Sequence, residues 1–162
     1  KAPIEKERWY THYYYQGILA EIGALHKYKV YIPAQDKNKP FLNKKLEDMI
    51  TLKILPPFTY DYIISAIKSI DVIWINERNF PAKVFEVEHS TDFKNSLNKF
   101  HEIIDFHTTM FIVSDKVRMS QFNSVLDLSI YKSLKNRVKF CNYDSLEDYY
   151  SNPFQFKNFL EF

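Results

Sequence analysis

Residues 70–75, Ile70-Asp71-Val72-Ile73-Trp74-Ile75, and residues 83–88, Lys83-Val84-Phe85-Glu86-Val87-Glu88, form the stretch whose reading decides the fold. Both runs are rich in Val, Ile, Phe and Trp. The polar segment Asn76-Glu77-Arg78-Asn79-Phe80-Pro81 between them predicts a β-hairpin. Strands this apolar seldom carry carboxylates, because a buried charge is costly unless a partner compensates it. Glu86 and Glu88 are two residues apart, so an extended strand sends both to one face, with Cα atoms about 7 Å apart. Asp71 opens the neighbouring strand and can fold over beside them. At about 7 Å and an effective dielectric near 20, two carboxylates repel by roughly 2.4 kcal/mol. That is enough to hold one of them protonated above its ordinary range. A divalent cation removes the conflict, and oxygen-only ligation suits Mg²⁺, with Mn²⁺ as a substitute. The plainer reading is an amphipathic hairpin with both glutamates on a solvated face. Val84 shares that face while Phe85 and Val87 fill the other, which favours a central strand covered on both sides.

The arrangement resembles the PD-(D/E)XK nuclease superfamily, the restriction-endonuclease-like fold. There one strand begins with a metal-binding Asp, and the next carries an acid, one spacer and usually a Lys. Asp71, Glu86 and Glu88 stand at those three places. The likeness runs from Ile70 to Val87 and on through His89-Ser90-Thr91-Asp92-Phe93, and it is strongest to restriction-type members with an Asp-Val-Ile-Trp strand and a Phe-Glu-Val-Glu strand. Ile70 replaces the Pro of the signature, and Glu88 replaces its Lys. The resemblance implies an α/β fold with a mixed central β-sheet flanked by helices, in the core order α-β-β-β-α-β. It also implies a Mg²⁺-dependent DNA endonuclease of a restriction-modification or DNA-defence system, with the metal held by Asp71, Glu86 and the carbonyl oxygen of Val87.

Further roles follow from the same resemblance. Glu88 would accept a proton from the attacking water or bind a second metal. Members without the motif lysine sometimes supply a basic residue from the next helix, which makes Lys99 the preferred substitute and Lys94 the second. The first helix of such proteins flanks the site, and His12, Gln16 and Glu21 are its candidates, against a plainer reading as ordinary surface positions. Double-stranded DNA is the implied substrate. A homodimer is the implied assembly, because a duplex has two strands to cut, and a separate target-recognition domain is expected in the parent chain. The alternative from another class is a non-catalytic DNA-binding or dimerisation module on the same fold. The intact acid trio argues for the enzyme.

The whole-chain numbers agree with this. A chain of 162 residues suits one domain with a real core, and 46% hydrophobic and 17% aromatic residues exclude disorder. Two glycines are too few for the loops that cradle nucleotide phosphates. A net charge of +2 is too mild to identify a nucleic-acid binder alone. The single Cys141, in the predicted strand Val138 to Asn142, allows no internal disulfide and fits a reducing cytoplasm. No apolar run approaches a membrane span of about 20 residues. The chain opens on Lys1 and is expected to be a single nuclease domain, residues 1–162, within a longer protein.

Along the chain, Tyr15, Ile18, Leu19, Ile22 and Leu25 predict one buried stripe on a helix from about Lys6 to Lys27. His12 and Gln16, four apart, share a face of that helix. Tyr28 to Pro33 reads as a strand, and Gln35 to Pro57 as a loop-rich insertion. Its Lys37, Lys39, Lys44 and Lys45 suit a DNA clamp and equally a solvated connection. Tyr62 to Lys68 predicts a short helix, Phe93, Leu97, Phe100 and Ile104 another, and Met110 to Ser114 a strand. From Lys116 to Lys139 the basic residues, Lys116, Arg118, Lys132 and Lys135 among them, suit a phosphate-facing surface, although a solvated helix face explains them nearly as well. Leu146 to Phe162 is an aromatic-rich closing segment. His101-Glu102-Ile103-Ile104-Asp105, with His107 nearby, imitates a zinc-protease helix. Phe100 and Ile104 bury the adjacent stripe, which leaves His101 and Asp105 as an exposed pair rather than ligands.

Overall fold

The computed structural model describes residues 2–152, with side chains from Thr11 onward. Helix α1 (Ala2–Leu25) leads into strand β1 (Lys29–Tyr31). A 3₁₀ turn, Ala34–Asp36, follows, then a small hairpin of β2 (Pro40–Phe41) and β3 (Lys44–Lys45), a second 3₁₀ turn, Leu46–Met49, and helix α2 (Asp61–Ile67). The central hairpin comes next as β4 (Val72–Ile75) and β5 (Pro81–Val87). Its turn is held by the Asn76 side chain, which accepts the Arg78 and Phe80 N–H groups at 3.0 and 3.1 Å. Helix α3 (Phe93–His101), strand β6 (Thr109–Ser114), helix α4 (Met119–Leu126), strand β7 (Val138–Asn142) and helix α5 (Tyr143–Ser151) complete the described chain. The aromatic closing segment expected to Phe162 lies outside the described residues beyond Asn152.

The main sheet has five strands in the order β1-β4-β5-β6-β7. Strands β1, β4 and β5 pair antiparallel, whereas β5, β6 and β7 pair parallel. The fold is therefore α/β with a mixed central sheet flanked by helices, compatible with a restriction-endonuclease-like fold. Strand alternation divides the core. Val72, Trp74, Phe85, Val87, Phe111 and Cys141 face α1 and α5, while Ile73, Ile75, Val84, Met110 and Ile112 face α3 and α4. Both faces are covered, which is why these strands read as near-continuous apolar runs.

Strand direction also sorts the loops. The carboxyl ends of β1, β5, β6 and β7 and the start of β4 lie along one edge of the sheet, called here the carboxyl edge.

Three expectations are corrected. The insertion over residues 35–57 is not a solvated connection throughout, because Phe41 and Leu46 are buried in the core beside α1 and dock the small hairpin there. Leu25 drops out of the buried stripe at 50% exposure, where α1 ends just before Lys27 turns left-handed at φ 67°. Helix α3 stops at His101, and Ile104 is only partly buried while Ile103 fills the core. His101 and Asp105 thus share no helical face. No helix among the described residues is long and apolar enough to cross a membrane.

Both glycines lie in α1 and serve close approach. A Cβ at Gly17 would sit 2.2 Å from Phe41 Cδ2, and one at Gly23 2.4 Å from Trp74 Nε1. Trp74 Nε1 donates to Leu19 O at 3.0 Å, so α1 rests directly on the indole. Gly23→Ala must displace that ring. We expect it to destabilise the fold by roughly 1–3 kcal/mol despite alanine's better helix propensity. Urea unfolding followed by tryptophan fluorescence measures this, and an unchanged midpoint would mean that helix and indole separate freely.

Candidate active site

The hairpin register builds the centre. Val72 lies opposite Phe85, which places Asp71 against Glu86 at the carboxyl edge. Each acid is tied to the other's strand. Glu86 Oε2 accepts the Asp71 N–H at 3.0 Å, and Asp71 Oδ2 accepts the Val87 N–H at 2.8 Å. The side chain of Glu86 is buried, on the same face as Val84, and helix α3 answers it. Lys99 Nζ lies 2.6 Å from Glu86 Oε1 and donates also to Ser69 O at 3.2 Å. Helix α3 thus delivers one ammonium to the acid that the adjacent strand buries.

Helix α1 supplies the other wall. His12 Nε2 lies 3.4 Å from Asp71 Oδ1. One turn on, Gln16 is fully buried, and its Nε2 donates to the Asp71 carbonyl at 2.8 Å and to Asp36 Oδ2 at 3.0 Å. The four-residue spacing of His12 and Gln16 aims both at Asp71. Around them stand Tyr13 and His89, their rings edge-on to the His12 imidazole with centroids 5.4 Å away. Tyr143 stacks on Tyr15 at 3.9 Å between centroids.

The electrostatics follow from burial and pairing. Burial drives Glu86 well above the usual carboxylate range, and the neighbouring Asp71 charge and their shared hydrogen bond add to the rise, against the opposing pull of Lys99. Burial pushes Asp71 upward too, but the hydrogen bond and charge of His12, the Glu86 contact and the Val87 N–H together hold it below its ordinary value. The protonation of the two acids is thus driven apart, which makes this edge a candidate functional site. Burial lowers His12 and Lys99, yet Asp71 raises the first and Glu86 the second above their ordinary values.

Other expected residues fall elsewhere. Glu88 lies beyond the last residue of β5, and its carboxylate accepts the Ser90 N–H at 2.8 Å and the Ser90 hydroxyl at 2.6 Å. It shapes the turn, although its charge still reaches His12 and Lys99. Glu21, five residues past Gln16, is rotated about 140° round α1 and pairs with Lys44 and the Tyr150 hydroxyl. Lys94 is exposed and equally rotated from Lys99. Lys37 donates to Lys53 O at 2.9 Å, Lys39 lies 5.7 Å from the Tyr13 ring centroid, and Lys45 pairs with Glu47 at 3.9 Å. Lys116 and Arg118 follow β6 at the carboxyl edge, where Lys116 pairs with Asp144 at 3.2 Å. Lys132 and Lys135 precede β7, and Lys135 pairs with Asp127 at 2.7 Å at the opposite edge. Nearby Arg137 is spent on the Ile104, Phe106 and Thr108 carbonyls. The basic run is therefore split between edges rather than forming one surface.

Asp36 was not anticipated as a site residue. It reads as one more acid in a lysine-rich loop, and only the strand order shows that the loop after β1 meets the start of β4.

Residues 1–161 match the family model described as Type II restriction enzyme NmeDI C-terminal domain. Neither the curated proteins nor the solved structures gave a significant match.

The acid pair sets a pH dependence. The raised Glu86 contributes stability below its unfolded value of about 4.3 and loses it as pH climbs through the folded value. The lowered Asp71 contributes stability above about 3.9 and loses it as pH falls through its folded value. In metal-free buffer, stability should therefore decline as pH climbs above about 4.3 toward the raised folded value of Glu86, by at most about 1.4 kcal/mol per pH unit for this one group. Glu86→Gln should flatten that decline. Urea midpoints in EDTA test it, and parallel curves for the two proteins would show that Glu86 carries no buried proton.

Proposed function

The chain belongs to the family of the type II restriction enzyme NmeDI C-terminal domain, and from that premise we propose that it is a Mg²⁺-dependent DNA endonuclease of a restriction-modification system. The observation that carries this reading is the Asp71–Glu86 pair at the carboxyl edge, with Glu86 buried and Lys99 2.6 Å from it. Carboxylates forced together in this way fit a hard cation, and Asp71, Glu86 and the Val87 carbonyl oxygen are the residues that would hold it. When bound, Mg²⁺ supplies Lewis acidity toward a phosphate and makes its bound water more acidic.

The protein's own residues do the rest. Lys99 is placed to offset negative charge growing on the phosphate. His12 keeps Asp71 ionised and oriented, and Gln16 fixes the backbone at the start of β4. We assign Glu88 to the turn after β5, since Ser90 engages its carboxylate twice. Lys116 and Arg118 are the basic residues we place against the DNA backbone. The proposal extends to one nuclease domain acting in the cytoplasm as a homodimer, with target recognition by a separate domain.

Cleavage of plasmid and phage DNA by the parent protein, with and without Mg²⁺, tests the reading. Asp71→Asn and Lys99→Met should each lower the rate by about 10²-fold or more, whereas Glu88→Gln should stay within a few-fold. Cleavage untouched by Asp71→Asn would move the active site elsewhere. DNA binding with no cleavage under any divalent cation would favour the non-catalytic module.

The split basic run makes a second test. Removing both Lys116 and Arg118 should flatten the dependence of log K on log salt by about two units, at about 0.9 per phosphate. Lys135→Ala should leave the slope alone. The reverse pattern would put the DNA on the opposite edge.

A further inference from the structure

We propose that Leu42, at the tip of the β2–β3 hairpin, is an apolar wedge that enters the minor groove of duplex DNA and parts a base step near the bond that is cut. The inference rests on the proposed function for its substrate, the duplex, and not for the metal chemistry.

Leu42 carries two costs at once. Its backbone is left-handed, at φ 52°, a conformation that crowds a bulky side chain. The same residue is 56% exposed, so packing does not repay the strain. The other non-glycine residues with positive φ among the described residues have evident reasons. Lys27 closes α1, where its N–H donates to Ala24 O and the Tyr28 N–H to Gly23 O, both at 3.0 Å. Asn79 is of a residue type enriched in that region. Two-residue hairpin turns ordinarily take Gly, Asn or Asp, any of which would remove both costs at Leu42. Strain that the surrounding structure holds in place points toward function.

The hairpin holds its tip firmly. Phe41 is buried over Gly17, and Leu46 is buried at the other end. The Leu46 N–H donates to Lys39 O at 3.0 Å and the Glu47 N–H to Lys37 O at 2.9 Å. A tip fixed in this way loses little freedom on insertion.

Charge identifies the partner. Lys39 precedes Leu42, and Asn43, Lys44 and Lys45 follow it. Lys44 and Lys45 pair with Glu21 and Glu47 at 3.7 and 3.9 Å, in exposed positions where such pairs are weak and yield readily to a phosphate. Cations for the phosphates, an amide for the base edges and one apolar side chain between bases are the parts of a minor-groove wedge. A protein partner would call for a broader apolar patch than one leucine.

The hairpin also starts beside the acids. Lys39 Nζ lies 5.7 Å from the Tyr13 ring centroid, and that ring is edge-on to His12, the partner of Asp71. From there the hairpin follows α1, with Phe41 against Gly17 and Lys44 against Glu21. At about 1.5 Å per residue, the tip lies about 7–14 Å along the helix from His12. For a duplex lying along α1, that is about two to four base pairs of about 3.4 Å from the bond that is cut.

The test uses the parent protein in Ca²⁺ and duplexes carrying 2-aminopurine at successive positions. Wild-type protein and Leu42→Met should brighten the probe at one step, about two to four base pairs from the mapped cut. Leu42→Gly and Leu42→Asn should leave it dark and bind DNA about tenfold more weakly, the worth of burying one leucine side chain. Both residues suit a left-handed turn, so the urea midpoints of these variants should match or exceed that of the wild type. Asparagine keeps the turn stiff, so its loss of binding separates the wedge from hairpin rigidity. A probe that stays dark at every position under bound wild-type protein overturns the wedge and leaves the nuclease reading standing. So does Leu42→Asn that binds and brightens DNA as the wild type does. A change in sedimentation of Leu42→Asn with DNA binding unaltered overturns it too, and assigns Leu42 to a protein contact. Wild-type protein that brightens the probe yet cuts DNA with no divalent cation has the opposite meaning: the wedge holds, and the nuclease reading fails.

Discussion

Asp71 and Glu86 are forced against each other by a strand register that cannot shift without cost. Glu86 lies on β5 and Asp71 immediately precedes β4, adjacent antiparallel strands whose apolar residues fill cores on both faces. A slip of one residue would turn Val84 and Phe85, and Ile73 and Trp74, onto the wrong faces together. The fold therefore holds the acids together with its hydrophobic energy, and much of the remaining polar structure reduces the electrostatic cost. Lys99 answers Glu86, His12 answers Asp71, and the Val87 and Asp71 N–H groups each cap a carboxylate.

That division of labour explains why α1 must lie so close to the sheet. His12 and Gln16 reach Asp71 only if the helix rests on β4, and the two glycines permit this by leaving room for Phe41 and Trp74. The small β2–β3 hairpin, anchored by Phe41, is packed against the same helix. Residues far from the acids in sequence thus set the height of α1 above the sheet, and with it the reach of the imidazole and amide.

Much of this was legible in the sequence because it is written in short-range periodicity. Alternation marked β4 and β5, the three- and four-residue spacing of Phe93, Leu97 and Phe100 marked α3, and the acids stood out against apolar neighbours. His12 and Gln16 were readable as a pair for the same reason. Asp36 was not, since its meaning depends on strand order: nothing local tells an acid beside Asp71 from one in solvent. Glu88 illustrates a different limit. Alternation would send it to the Glu86 face, but β5 ends one residue earlier, and the hydroxyl and N–H of Ser90 compete for the carboxylate. Lysines were the least legible, because ion pairs with Asp127, Asp144, Glu21 and Glu47 are made with residues whose positions only the fold reveals.

The place of the positive charge has one further consequence. A lysine on β5 itself would be held by the sheet, whose strands are fixed by hydrogen bonds on both sides. Lys99 is held instead by the docking of a nine-residue helix, through Phe93, Leu97 and Phe100. A helix of that length has little stability of its own, so its position comes from tertiary packing. The ammonium beside Glu86 is therefore only as well placed as those aromatic and aliphatic contacts make it. Tyr131 reinforces them from below, its hydroxyl donating to Asn98 Oδ1 at 3.0 Å. The segment between β6 and β7 thus acts on the acid pair without touching it, by supporting the helix that carries the charge.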